Sequence, residues 1–179
     1  MRIWALVTED FRIFVYKDGY LRTSSSEYDT NNRSNQVHLT NQCLQVHCAE
    51  YGTFEEGNTL TFKQFQEYLN ETHPQYNLVI EEHFMPRIKD IIIDSFLSVR
   101  YKMNPNRRKH CFELFGFDFL LDEDFRLWLI EINTNPFLGT PNKDMIVLVP
   151  TMIEEMLKIA IDPICKPKNQ TSDPDQNGF

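Results

Sequence analysis

The chain has 179 residues and carries 26 Asp+Glu against 18 Lys+Arg, a formal net charge of −8 and a pI near 5.1. That length bounds one domain with room for a sizeable core, and the acidic balance argues against a nucleic-acid coat, which carries a basic surplus. Apolar residues at 41%, with 14 Phe, exclude a disordered chain. The 6 Gly are scattered, so no Gly-rich phosphate loop of Walker or Rossmann type exists here. A nucleotide bound by this chain is held by another design.

No run approaches the ~18 consecutive apolar residues of a membrane helix, and Glu9-Asp10 interrupts the first apolar stretch too early for a signal-peptide core. The chain therefore reads as intracellular and not membrane-bound, and the Asn-x-Ser/Thr triplets at Asn32, Asn70 and Asn169 carry no glycan meaning. Cys43, Cys48, Cys111 and Cys165 form no CxxC pair and are expected as free thiols in a reducing compartment. His47-Cys48 beside Cys43 lacks zinc-finger spacing.

In chain order, 3–8 and 11–16 are β-branched and aromatic runs around Glu9-Asp10, which predicts a hairpin. Lys17-Asp18-Gly19 reads as a second turn, with a third strand at 20–24 and a polar loop at about 25–35. The piece 37–45 is apolar enough to be anchored but too polar for plain core. Phe62, Phe65 and Leu69 lie on one helical face after capping residues at 58–61. A longer helix spans 84–102, with Pro86 tolerable in its first turn. Two strands follow, at 111–121 and 125–133, then a helix at about 142–161 and a polar tail, 163–179, expected to be disordered. Strands joined by short turns imply a largely antiparallel sheet flanked by helices, an α+β fold over residues 1–162.

The chemistry concentrates in the two later strands. Both are apolar on both faces, so both are expected to be covered, yet Asp118, Glu131 and Asn133 interrupt them. Glu131 and Asn133 share a face by alternation. If 122–125 form the turn, Leu121 pairs with Arg126 and Asp118 with Leu129, which puts Asp118 on that same face at a diagonal of ~7–8 Å from Glu131. Two carboxylates there repel and lose hydration. Protonation, an arginine partner or a divalent cation can each offset that cost, and two carboxylates with an amide oxygen are hard ligands of the kind Mg²⁺ prefers. Asp122-Glu123-Asp124 is a solvated turn and no EF-hand, since Leu127 stands where the loop glycine is needed. Arg2 and Arg22 beside apolar strand residues are either solvated edge cations or donor forks for carboxylate or phosphate. Thr40-Asn41 either braces a loop or bonds nucleotide oxygens. Arg107-Arg108-Lys109 is a solvated helix end or a dock for an acidic partner.

Arg2-Ile3-Trp4-Ala5-Leu6-Val7, Gly19-Tyr20-Leu21-Arg22, His38-Leu39-Thr40-Asn41, Tyr51-Gly52-Thr53-Phe54-Glu55-Glu56-Gly57-Asn58 and 112–133 followed by Thr134-Asn135-Pro136 occur in order. Together they resemble the C-terminal half of the tubulin–tyrosine ligase-like catalytic domain, over about residues 1–162. The resemblance implies the C-terminal lobe of an ATP-grasp fold and an ATP-dependent carboxylate–amine ligase. In such an enzyme ATP phosphorylates a tubulin carboxylate and the amine of a free amino acid displaces phosphate. By the same resemblance Asp118, Glu131 and Asn133 hold Mg²⁺, and Thr40 and Asn41 touch ATP. Arg22 meets the amino acid or acyl phosphate, and Arg2 lies near the γ-phosphate. Arg2, Arg22 and Glu131 are the expected catalytic set. The stretch 38–69 is most similar to the tyrosine ligase branch, so tyrosine is the favoured amino acid, with glutamate the other candidate. Tubulin or microtubules are the implied partners, in the cytoplasm and cytoskeleton, cilium included. The family motif reading Lys-Phe-Asp-Ile-Arg is met here only from its arginine, so the chain is expected to be a piece of a longer protein or a truncated relative. In the latter case a non-catalytic tubulin-binding module is the alternative to a ligase.

Overall fold

β1 (Arg2–Thr8) runs through the centre of the sheet. Ile3, Ala5 and Val7 face one side and Trp4 the other, all no more than 5% exposed, as a strand covered on both faces requires. The computed structural model describes residues 1–140, 142–165 and 178–179. Among them β1 pairs antiparallel with β2 (Ile13–Arg22) and β4 (Phe112–Leu121), and β3 (Thr59–Thr61) and β5 (Leu127–Asn133) form the edges. The order is β3-β2-β1-β4-β5, antiparallel throughout. This is the α+β architecture expected from the short turns.

Two short helices, α1 (Asn35–His38) and α2 (Gln42–Gln45), occupy the anchored polar stretch. α3 (Phe62–Thr72) starts at a reciprocal cap, with Thr61 and Gln64 each satisfying the other's backbone N–H. α4 (Met85–Met103) follows a π-turn at Ile80–Phe84 and takes Pro86 in its first turn. α3 and α4 bury Phe65, Leu69, Ile88, Ile92 and Phe96 against Ile3, Phe115, Phe117 and Phe119 of the sheet. α5 (Lys143–Ala160) covers the opposite face, with Met145, Val149 and Met152 on Trp4, Tyr16 and Tyr20. Helices thus sandwich the sheet centre.

Several expectations need correction. The turn read at 17–19 is absent, and β2 is one strand with a register irregularity opposite Ile3 to Ala5. Gly19 serves close approach instead: a Cβ there would lie 2.3 Å from the Arg2 carbonyl oxygen. The β4–β5 turn is one residue longer than read, pairing Leu121 with Leu127, and a bulge between Asp118 and Phe119 then pairs Asp118 directly with Glu131. Coverage of both later strands is also incomplete. Leu120, Trp128 and Ile130 are 56%, 56% and 61% exposed on the edge strand and its neighbour. Of the polar tail, 166–177 lie outside the described residues. Gly178 and Phe179 lie on β2 and α5, with the Lys17 N–H donating to the Gly178 carbonyl (2.8 Å) and the Phe179 ring 4.8 Å from Tyr16.

Candidate active site

The register of β1 on β4 sets Arg2 opposite Asp118, and that of β4 on β5 sets Asp118 opposite Glu131 and Gly116 opposite Asn133. Opposed residues share a face, so Arg2, Asp118, Glu131 and Asn133 meet on the sheet surface beyond the end of α5's cover. Arg2 Nε donates to Asp118 Oδ1 at 2.6 Å and Nη2 to Oδ2 at 2.8 Å, a bidentate fork. Asn133 Nδ2 donates to Asp118 Oδ2 at 3.2 Å and to Glu131 Oε1 at 3.0 Å, bridging the two carboxylates. Arg2 is 4% exposed, the Asp118 side chain 18%, and Glu131 is open to solvent. Of the three ways to offset the charge, an arginine partner is the one in place at Asp118.

Gly116 makes room for the fork. A Cβ there would sit 2.8 Å from Pro136 Cβ and 3.1 Å from Arg2 Nη1, so the guanidinium lies in a slot between the bare strand and buried Pro136. Nη1 is buried there without a hydrogen-bond partner. Burial works to lower the Arg2 pKa, but the Asp118 hydrogen bond together with the charges of Tyr20, Asp118 and Glu131 outweighs it and the pKa is raised. Burial likewise works to raise the Asp118 pKa, and the Arg2 hydrogen bond and charge, with help from Arg22, hold it below the usual carboxylate value.

Arg22 stands at the end of β2, its Nη2 donating to the Tyr20 hydroxyl at 3.2 Å. Its charge reaches Asp118. Thr40 and Asn41 form the turn between α1 and α2, both exposed. Asn41 Oδ1 accepts from Cys43 N at 3.0 Å and so caps α2, which is the loop-bracing role. Among the described residues no hydrogen bond joins Thr40 or Asn41 to the sheet carboxylates. Gln42, next in sequence, does line a narrow crevice with Tyr20, Thr59, Phe137 and Gly139. The sheet therefore gathers Arg2, Arg22, Asp118, Glu131 and Asn133, and a separate turn carries Thr40 and Asn41 to its edge. Sequence reasoning missed Gly116, Pro136 and the amide of Gln45. A glycine between two strand phenylalanines was the available signal for the first, since it marks close approach.

The donor set suits a hard divalent cation. Two opposed carboxylates and an amide converge, Glu131 is accessible, and Asp118 Oδ1 accepts only one hydrogen bond. Among the described residues no group of three or more His, Cys, Asp and Glu could hold a metal ion, so any such site needs the Asn133 oxygen.

The profile of the Tubulin-tyrosine ligase family matches residues 1–170. The chain is 34% identical to "Tubulin glycylase 3A" of Drosophila melanogaster, over 94% of this chain and 17% of that protein. It is 35% identical to "Tubulin glycylase 3D" of Tetrahymena thermophila, over 90% of this chain and 16% of the other. "Probable tubulin polyglutamylase TTLL9" of Bos taurus is 31% identical, over 89% of this chain and 34% of its own length. The chain thus spans about a third or less of the length of these relatives. The match runs through β1 to α5, with the Arg2–Asp118–Glu131–Asn133 face inside it, and the chain belongs to the tubulin–tyrosine ligase family.

Proposed function

We propose that this chain is the metal- and nucleotide-facing lobe of an ATP-dependent ligase that joins an amino acid to a carboxylate of tubulin. The observation that carries the reading is the cross-strand pair Asp118–Glu131, bridged by Asn133 and anchored by Arg2. Asp118, Glu131 and, with its amide turned over so that the oxygen replaces Nδ2, Asn133 would hold Mg²⁺, which supplies neutralisation of phosphate charge. Arg2 acts through Asp118. With its Nε–Nη2 fork spent on that carboxylate, it fixes the orientation of the carboxylate and keeps it ionised. Arg22 carries a partly exposed guanidinium beside the face and would stabilise a phosphoryl or carboxylate group there. Thr40 and Asn41 would touch ATP from the adjoining turn.

The amino acid is glycine or glutamate. The expectation of tyrosine finds no support in the relatives, whose names specify glycylation and polyglutamylation. The place of action would be the microtubule surface in the cytoplasm. The test uses the longest natural form that carries this chain. Mg²⁺-dependent ATP binding and amino-acid-dependent ADP release are expected, supported by glycine or glutamate and not by tyrosine. Glu131→Gln is expected to remove the Mg²⁺ dependence, and unchanged turnover in that variant defeats the assignment.

A second reading, a tubulin-binding module, rests on a different place. A cleft of about 760 Å³ at the far end of the sheet is lined by Arg100, Arg107, Arg108 and Lys109, beside Glu9 and Glu113. Microtubule co-sedimentation that falls steeply with salt, without any nucleotide binding, favours this reading over the ligase.

A further inference from the structure

We infer that Gln45, which nothing in the motif reading singled out, is the positioning residue that sets the Thr40–Asn41 turn relative to Arg22. The inference rests on the reading of that turn as a nucleotide contact. Gln45 is fully buried at the base of the turn, on a segment otherwise largely exposed. A primary amide offers two N–H donors and an acceptor oxygen, and here both donors and the oxygen are engaged. Nε2 donates to the carbonyls of Gln36 (2.9 Å) and Leu39 (2.7 Å). Oε1 accepts from Ser25 N (2.8 Å) and from Asn58 Nδ2 (3.5 Å).

Those partners come from three separate stretches. Gln36 and Leu39 flank the end of α1, immediately before Thr40. Ser25 follows β2 three residues after Arg22. Asn58 immediately precedes β3 and adopts the left-handed backbone, φ 50°, that asparagine tolerates. Asn58 extends the lock, with Nδ2 donating to Ser25 Oγ at 2.8 Å and Oδ1 accepting from Gly52 N at 2.7 Å. The Gln45 backbone N–H also reaches the Asn41 carbonyl at 3.0 Å. Thr40 and Asn41 are therefore held from both sides by one residue, while their own side chains stay exposed. Apolar packing adds only the buried Val37 of α1, and α1 and α2 are four residues each, too short to persist alone. Ser24 Oγ also links the two sides, donating to the Gln36 carbonyl at 3.1 Å, but Gln45 is the fully buried residue that bonds both.

The test has two arms. In the full chain without nucleotide, hydrogen exchange of the unmodified protein should show the Ser25 amide protected at least about 100-fold over an unstructured loop. In Gln45→Met, the hydrogen-bonded amides of Ser25 and Leu39 should exchange roughly 10-fold faster or more, with Ile3, Ile92 and Phe117 unchanged. In the longest natural form, Gln45→Met or Gln45→Glu should raise the Kd and KM for Mg-ATP about 10-fold with kcat at saturation kept. Val46→Ala, at the exposed neighbour of Gln45, spares the Gln45 bonds and should leave both constants within about twofold. A freely exchanging Ser25 amide in the unmodified chain overturns the inference even if the variants do not fold. So does a Gln45 variant with a loosened turn and unchanged Mg-ATP affinity, or Val46→Ala as damaging as Gln45→Met. A protein that binds no nucleotide overturns the function proposed above, while the exchange arm still decides whether Gln45 orders the turn.

Discussion

The Arg2–Asp118 pair is the contact on which the site geometry depends most, and its strength can be worked out from the structure. Asp118→Asn leaves a guanidinium that is 4% exposed, with one nitrogen already lacking a partner, facing an amide in place of a carboxylate. Removing one member of a buried ion pair costs about 3–5 kcal/mol, and the 18% exposure of Asp118 puts this case at the lower end, about 3 kcal/mol. Arg2→Met fills much of the slot with an apolar stem and leaves Asp118 with the Asn133 amide and some water, so about 2 kcal/mol is expected. In the double variant neither charge remains unpaired, and about 3 kcal/mol is expected where independent sites would give about 5. Urea unfolding followed by circular dichroism measures this. The midpoints should shift with m unchanged, and for a chain of this size the Asp118→Asn change lowers Tm by roughly 6–12 °C. A coupling below about 0.5 kcal/mol, with the two losses simply adding, refutes the claim that the fork is a structural unit.

Acid sensitivity should report the same pair. Because the folded Asp118 pKa is lowered, the unfolded chain binds more protons near the usual carboxylate pKa of about 3.9. The stabilisation is therefore whole above that value and lost as pH falls through the folded pKa, and urea titrations between about pH 2 and pH 5 should show this component missing in Arg2→Met. Gly116→Ala should cost about 1–3 kcal/mol by thermal unfolding, since the new methyl overlaps Pro136 and the Arg2 fork; an unaltered Tm removes the slot argument. Gly19→Ala is expected to be worse, with more than about 3 kcal/mol lost or no folded protein recovered, because its neighbour at 2.3 Å is backbone and cannot swing away. Ile130→Lys, on the exposed bulge, should change stability by no more than about 0.5 kcal/mol while reducing self-association measured by light scattering.

Most of the fold was legible because its signals are periodic. Ile3, Ala5 and Val7 against Trp4, and Phe115, Phe117 and Phe119 on β4, are alternations that only a sheet covered by helices satisfies. Phe62, Phe65 and Leu69 after the capping residues at 58–61 declared α3 in the same way. What was misread has no period. Gly19 looked like a turn because glycine marks both turns and close contacts, and only the neighbouring Arg2 carbonyl decides between them. Gln45 is silent in sequence, since an amide becomes structural only once four partners from distant stretches surround it.

The carboxylate face was read correctly for an incomplete reason, and the difference matters. Pairing Leu121 with Arg126 placed Asp118 opposite Leu129, on the side of Glu131 and Asn133. The turn is in fact one residue longer, as Asp122 Oδ1 accepts from the N–H groups of both Asp124 and Arg126 and Oδ2 from the Trp128 indole. Carried on without interruption, that register would set Asp118 opposite Ile130 and send Glu131 and Asn133 to the core side of the sheet. The bulge between Asp118 and Phe119 takes up the extra residue and restores the face. Two one-residue shifts cancel in parity, which is why simple alternation reached the right side with the wrong partner. They do not cancel in position: Asp118 ends directly across from Glu131 instead of on a diagonal, near enough for one Asn133 amide to touch both carboxylates. The bulge is thus part of the site, because a ladder continued regularly from the Leu121–Leu127 pair would not put the three oxygen-bearing side chains together.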